Sequence, residues 1–305
     1  MNRLKQKIFD VEFDNPIFSA SGTFGYGRDY EDFIPVNEIG AVVTKGTSLT
    51  EWKGNASPRV YETASGMLNS IGLQNPGIDH FLSKDLPWLV NNKAKVILNV
   101  AGHTIDEYQS VVEKCNSYKG KIHALEINIS CPNVTEGGMA FGTNPEVVYE
   151  LLSNLKRISS IPLIAKLSPN VTDVVEIAKA AESAGVDSLS LINTLSGIAI
   201  DIHKKKPVLG NIFGGLSGPA IKPVALKMVY QVSQATNLPI IGIGGIMNST
   251  DAIEFFLAGA SAVQVGTAVF INPYVHSEIV KGVDDYLDKH GYSSITEIIG
   301  LAWKE

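Results

Sequence analysis

ALEINIS, residues 124–130, alternates apolar and polar side chains from Leu125 onward. Successive side chains of a strand point to opposite faces, so Glu126, Asn128 and Ser130 share one face and Leu125, Ile127 and Ile129 the other. In a parallel sheet wrapped by helices the apolar set meets the helices. The polar set then points inward, with Asn128 near the mouth of a barrel and Cys131 immediately beyond it.

Seven further short, β-rich runs flank this one: PIFSA (16–20), GAVVTK (40–45), KVILNV (95–100), PLIAKLS (162–168), SLSLIN (188–193), PIIGIG (239–244) and AVQVGT (262–267). Helical patterns separate the later ones, at 105–118, 145–158, 172–184, 219–236 and 249–257. Strand and helix in alternation signal repeated βα units, and eight strands close a (β/α)₈ barrel. Asn144 before Pro145 reads as an N-cap before a first-turn proline, and Ser249 or Thr250 as the cap of the helix leading to Phe256. Gly185 and Gly259 stand where helix ends need a left-handed residue.

Two segments exceed the minimal unit, 46–90 after strand two and 194–218 after strand six. Both leave the carboxyl end of a strand, the face on which barrel enzymes build their sites, and are expected to form a lid. Residues 5–15, with Ile8, Val11 and Phe13 alternating, suggest a hairpin plugging the barrel bottom. No solenoid repeat or linker appears, so the 305 residues are read as one barrel domain.

Composition narrows the function. Hydrophobic residues make up 45% and charged residues 18%, a globular balance, and the net charge of −6 argues against a nucleic-acid surface. Lys204, Lys205 and Lys206 form a short basic run that reads as a solvated loop. No apolar run nears the roughly 20 residues of a membrane span, and the first residues lack the apolar stretch of a signal peptide, so a cytoplasmic protein is expected. The two cysteines, Cys115 and Cys131, exclude a disulfide scaffold, and without paired CxxC motifs no metal site is expected in this chain.

Polar groups converge at one rim: Lys45 ends strand two, Asn99 lies on strand three, Asn128 on strand four and Lys166 on strand five. A lysine facing a barrel interior must find an anion or lose its charge. Lys45 and Lys166 together therefore suggest a bound anionic or electron-rich ring, although a lone Lys or Asn at a strand end is as often a capping group. Gly244 and Gly245 after strand seven, and Gly266 and Thr267 after strand eight, allow the close backbone approach that a phosphate needs, and Gly218 adds a further N–H. Glycines in those places also simply make tight turns. It is their pairing after the last two strands that favours a phosphate. There is no Walker lysine motif. Cys115, inside a helical pattern, reads as a small hydrophobe. Cys131 instead follows an inward Ser130 in the glycine-rich loop SCPNVTEGGMAFG, where a thiol can act as base or nucleophile. His103 and His123, at strand edges, read as packing groups.

In order along the chain, SASGTFGYG (19–27), TKG (44–46), NSIGLQNPG (69–77), NISCPNV (128–134), AKLSPN (165–170), INT (192–194), GGLSGPAIKP (214–223), GIGGI (242–246) and VQVGTA (263–268) closely resemble the dihydroorotate dehydrogenases of pyrimidine biosynthesis. The resemblance implies oxidation of dihydroorotate to orotate with one FMN per chain, Cys131 taking the carbon-5 proton as general base. It implies substrate contacts from Lys45, Asn69, Ser70, Ile71, Gly72, Leu73, Asn128, Asn193 and Thr194. FMN contacts are implied for Ser21, Lys45, Gly46, Asn99, Asn128, Lys166, Ile192, Gly218, Gly244, Gly245, Gly266 and Thr267.

Membrane-attached relatives use serine at the base position and carry an amino-terminal anchor, features this sequence lacks. TEGGMAFG and EWKGNASPRVYE resemble the NAD-linked class 1B type rather than the fumarate-linked class 1A. That type implies a partner subunit carrying FAD and a 2Fe-2S cluster, in a heterotetramer of two catalytic and two electron-transfer chains built on a homodimer. Alternatives are the fumarate-linked class 1A enzyme, a related FMN pyrimidine reductase and a Schiff-base aldolase using Lys45 or Lys166.

Overall fold

A computed structural model describes residues 2–130 and 141–304. Eight parallel strands carry the architecture: β1 (Ile17–Ser19), β2 (Val42–Val43), β3 (Val96–Val100), β4 (Ala124–Asn128), β5 (Leu163–Lys166), β6 (Ser188–Leu191), β7 (Ile240–Ile243) and β8 (Ala262–Val265). Each pairs in parallel with its sequence neighbours, β8 returns to β1, and a parallel bridge between Phe18 and Ala41 closes the ring between β1 and β2. The sheet has no free edge, so its backbone groups are paired without a covering element.

Helices α1 (Leu86–Asn91), α2 (Ile105–Asn116), α3 (Pro145–Ile158), α4 (Val174–Ser183), α5 (Lys222–Ala235), α6 (Ser249–Ala258) and α7 (Val275–His290) follow β2 to β8 in turn. The unit after β1 departs from the ideal, with only a 3₁₀ turn at Arg28–Tyr30. Four helices open on side-chain caps: Thr104 accepts from Glu107 N, Asn144 from Glu146 N and Val147 N, Asp173 from Val175 N, and Asn248 from Asp251 N. Each such cap contributes about 1 kcal/mol. Asn248 thus replaces the expected Ser249 or Thr250, because an amide oxygen one residue earlier already reaches the first turn. Gly185 and Gly259 do adopt left-handed φ, 85° and 115°. Helix α7 was not anticipated, although Val275, Ile279, Val283 and Leu287 bury one face at helical spacing.

The alternation in β4 sorts as expected. Leu125, Ile127 and Ile129 join the outer core with Val148, Leu151 and Leu152 of α3. Inside the barrel, Phe18, Ala41, Val43, Ile97, Ala124, Ile164, Ile241 and Ala262 form a separate apolar layer. The hairpin of Gln6–Ile8 and Val11–Phe13 closes it from below through Ile8 and Phe13. Above that layer Glu126 accepts from Asn99 Nδ2 (2.7 Å), Lys166 Nζ (3.3 Å), Ser190 Oγ (3.0 Å) and Gln264 Nε2 (2.6 Å). Five strands meet at this one carboxylate.

The two long insertions combine rather than acting separately. Val60–Thr63 and Gly66–Asn69 pair with each other, and with Gly214–Ser217 and Leu195–Gly197, as a four-stranded antiparallel sheet beside the mouth. Lys204 to Lys206 sit exposed at a small hairpin of Ile200–Asp201 and Lys206–Pro207. Among the described residues no helix is long and apolar enough to cross a membrane.

His276, in the first turn of α7, is fully buried with its ring edge-on to Phe24. Burial pulls its pKa down to about 4, against a smaller opposing pull from the Phe18 and Val265 backbone. The folded value lies below the unfolded one, so its contribution is complete above about pH 6.5 and is lost as pH falls toward 4, amounting to about 3 kcal/mol. Denaturant midpoints measured across that window should fall with acid, and His276→Phe should flatten the slope.

Candidate active site

Above the Glu126 layer the strand ends open into a cavity of about 640 Å³, within the range of small-molecule and cofactor sites. One wall is a glycine-rich cradle. Gly218 precedes a single 3₁₀ turn, Gly244 and Gly245 follow β7, and Gly266 and Thr267 follow β8. The backbone N–H groups of Gly244, Gly245, Gly266 and Thr267 have no acceptor among the described residues. Thr267 Oγ1 lies 2.8 Å from Ser217 Oγ, which joins this wall to the four-stranded sheet.

Gly245 is required to be glycine. Its φ is +72°, and a Cβ there would stand 2.7 Å from Lys222 Cβ and 2.9 Å from Gly218 O. We expect Gly245→Ala to destabilise the fold by about 1–3 kcal/mol, a loss that urea denaturation of the variant beside the parent chain would measure.

The floor and opposite wall are polar. Asn128, 6% exposed, accepts at Oδ1 from Ser130 N and from Asn193 Nδ2, both at 3.2 Å. With that oxygen engaged, its Nδ2 donors are left for the cavity. Asn193 Oδ1 in turn accepts from Thr194 N at 2.8 Å. Asn69, on the sheet, spends Nδ2 on Gly215 O at 3.4 Å and leaves Oδ1 as an acceptor. Ser70, Ile71, Gly72 and Leu73 continue this wall, Ile192 and Thr194 leave β6 on the far side, and Ser21 and Gly46 stand at the ends of β1 and β2.

Lys45 also lines the cavity, and no carboxylate pairs with it among the described residues. Burial, with a further push from Arg59, lowers its pKa. An anion in the cavity would restore the charge that burial disfavours. Lys166 is 7% exposed and already partnered by Glu126 at 3.3 Å, so it brings a fixed, internally balanced cation to the floor.

Every described residue expected in the site lines this cavity except Asn99. Asn99 lies one layer below, 1% exposed, with Nδ2 on Glu126 and Oδ1 unpartnered, its oxygen packed under Gly46. Cys131 lies outside the described residues; its neighbour Ser130 lines the cavity. Sequence reasoning gave no role to Glu126, Ser217, Asn170, Asn211 or Phe213. The acid centred in an inward-facing strand was a readable signal. Asn211 and Phe213 reach the cavity only because the insertion after β6 folds back over it. The two histidines are structural: His103 stacks on Trp52 at 4.1 Å, and His123 Nδ1 accepts from Val96 N. Cys115 is buried in α2, its thiol pushed up to about 12 by desolvation.

Residues 3–287 match the family model described as dihydroorotate dehydrogenase. The chain is 54% identical to the "Dihydroorotate dehydrogenase B (NAD(+)), catalytic subunit" of Alkaliphilus metalliredigens, over 97% of this chain and 98% of the relative. It is 53% identical to the proteins of the same name from Desulforamulus reducens, over 98% of each chain, and Anoxybacillus flavithermus, over 99% of this chain and 97% of the relative.

Proposed function

The chain belongs to the dihydroorotate dehydrogenase family, and from that premise we propose that it oxidises dihydroorotate to orotate in pyrimidine biosynthesis as the catalytic subunit of an NAD-linked enzyme. The observation that carries this reading is one cavity with two chemically distinct ends. A wall of unpaired backbone N–H groups suits a phosphate, and Lys45 with the cavity-lining Asn69 and Asn128 suits a planar carboxylate ring bearing amide edges.

FMN fits these residues. The glycine cradle would take its phosphate, and Ser21, Gly46, Asn128, Lys166 and Ile192 would border its ring. Asn99 would support the ring from below through Gly46. When bound, FMN supplies the two-electron acceptor. The protein supplies the rest. Asn69, Asn128 and Asn193 orient the substrate ring, with Ser70 to Leu73 and Thr194 closing around it, and Lys45 meets its negative charge. Cys131, one residue beyond the cavity-lining Ser130, takes the proton from carbon 5 as general base. Lys166, fixed in place by Glu126, would offer its ammonium to the cofactor side.

Electrons then require an exit, and the chain carries no nucleotide fingerprint for NAD. A partner subunit bearing FAD and a 2Fe-2S cluster, in a two-plus-two assembly on a homodimer, completes the proposal. The test is anaerobic. The FMN-reconstituted chain should bleach on adding dihydroorotate, and NAD should reoxidise it only with the partner present. Failure to take up FMN would sink the flavin reading and reopen a Schiff-base role for Lys45. Turnover with fumarate by the isolated chain would replace the NAD-linked subclass with the fumarate-linked one.

A further inference from the structure

Behind the glycine cradle, outside the cavity, a lysine and two carboxylates tie together the loops that form it. Lys222 opens α5, four residues after Gly218, and its stem lies directly against the backbone of Gly245. Its ammonium donates to Asp251 Oδ1 at 2.7 Å and reaches Glu254 Oε2 at 3.0 Å, both on α6. The second oxygen of Asp251, Oδ2, accepts from Met247 N at 2.9 Å, in the loop that carries Gly244 and Gly245. Asp251 is 8% exposed and its own N–H is held by Asn248. One carboxylate therefore fixes the β7 loop with one oxygen and the start of α5 with the other.

The geometry points to Lys222 and Asp251 as positioning residues for the cofactor phosphate, holding the Gly218 and Gly245 loops at the spacing at which their N–H groups converge. This rests on the reading of the cavity as an FMN site. Lys222 is a cation beside a phosphate cradle, yet its three donors are directed at two carboxylates and not at the cavity. The anion is left to backbone dipoles, whose strength depends on where the loops stand.

Charge and geometry predict opposite signs for Asp251→Asn. That substitution removes a negative charge next to the cradle and leaves Lys222 paired with Glu254 alone, so electrostatics alone would tighten binding of a phosphate. If the pair acts by position, binding loosens. The full-length apo chain is titrated with FMN and with riboflavin, which lacks the phosphate, following flavin fluorescence. Asp251→Asn should weaken FMN by about tenfold or more, the scale of one lost charge-assisted tie, and riboflavin by less than about twofold. Lys222→Arg, which can still bridge both carboxylates, should stay within about threefold of wild type for FMN.

Asp251→Ser, whose hydroxyl is too short to bridge Met247 N and Lys222 together and which leaves Lys222 to Glu254, carries the same test should Asp251→Asn not fold; apo melting temperatures decide which is used. Tighter FMN binding in the aspartate variants would make Lys222 a direct ligand and overturn the proposal. Equal weakening of both flavins, or of neither, would also overturn it. A wild-type chain that binds riboflavin as tightly as FMN would refute the phosphate reading itself, and that arm needs no variant.

Discussion

Cys131→Ala should lower the rate of flavin reduction by dihydroorotate by about 10²–10⁴-fold, the usual contribution of a positioned general base, while FMN stays bound at full stoichiometry. The two effects should separate on the proposed reading, in which base and phosphate cradle serve different ends of the cavity. Ser130, the last described residue before Cys131, lines the cavity, and its N–H is tied to Asn128 Oδ1. The glycine cradle stands on the loops after β6, β7 and β8. Anaerobic stopped-flow mixing measures the first effect and flavin absorbance per chain the second. Cys131→Ser should recover part of the rate at higher pH, because a hydroxyl gives up its proton less readily than a thiol. An unchanged rate in Cys131→Ala would remove Cys131 from the reaction.

Glu126→Ala should destabilise the folded chain by about 3–5 kcal/mol, the cost of leaving one partner of a buried ion pair uncompensated. Glu126 has no solvent exposure and Lys166 only 7%. The loss exceeds one ion pair, since Asn99, Ser190 and Gln264 would be left with donors directed at nothing. Removing the lysine charge as well relieves part of the penalty. The double variant Glu126→Ala with Lys166→Met should therefore be less destabilised than the sum of the singles. Urea unfolding of the four proteins, without flavin, closes the cycle. Strict additivity would mean that Glu126 supports the barrel floor without holding Lys166.

The barrel was legible because its signals are local. Period-two alternation in β4, apolar runs of strand length and glycine at helix ends each depend on a few neighbouring residues, and all eight strands fall within the expected runs. The edges were less legible: GAVVTK yields a regular strand only at Val42–Val43, since ladder pairing depends on where the neighbouring strand begins. The same limit hid Asn248 as the cap of α6.

Which face the inward lysines and asparagines take was determined by the sequence alone, because residue type and strand parity fix it, while the cradle glycines and the family were legible as motifs that resemble those of the family the comparisons show. Partnership was not. That Lys166 is neutralised while Lys45 stands without a carboxylate partner among the described residues, that Asn99 drops below the cavity, and that Lys222 faces two carboxylates depend on distances between strands and helices far apart in the chain. Glu126 shows why. Its donors come from residues 99, 166, 190 and 264, and only closure of the barrel brings them to one carboxylate in a medium where every unpaired charge is costly.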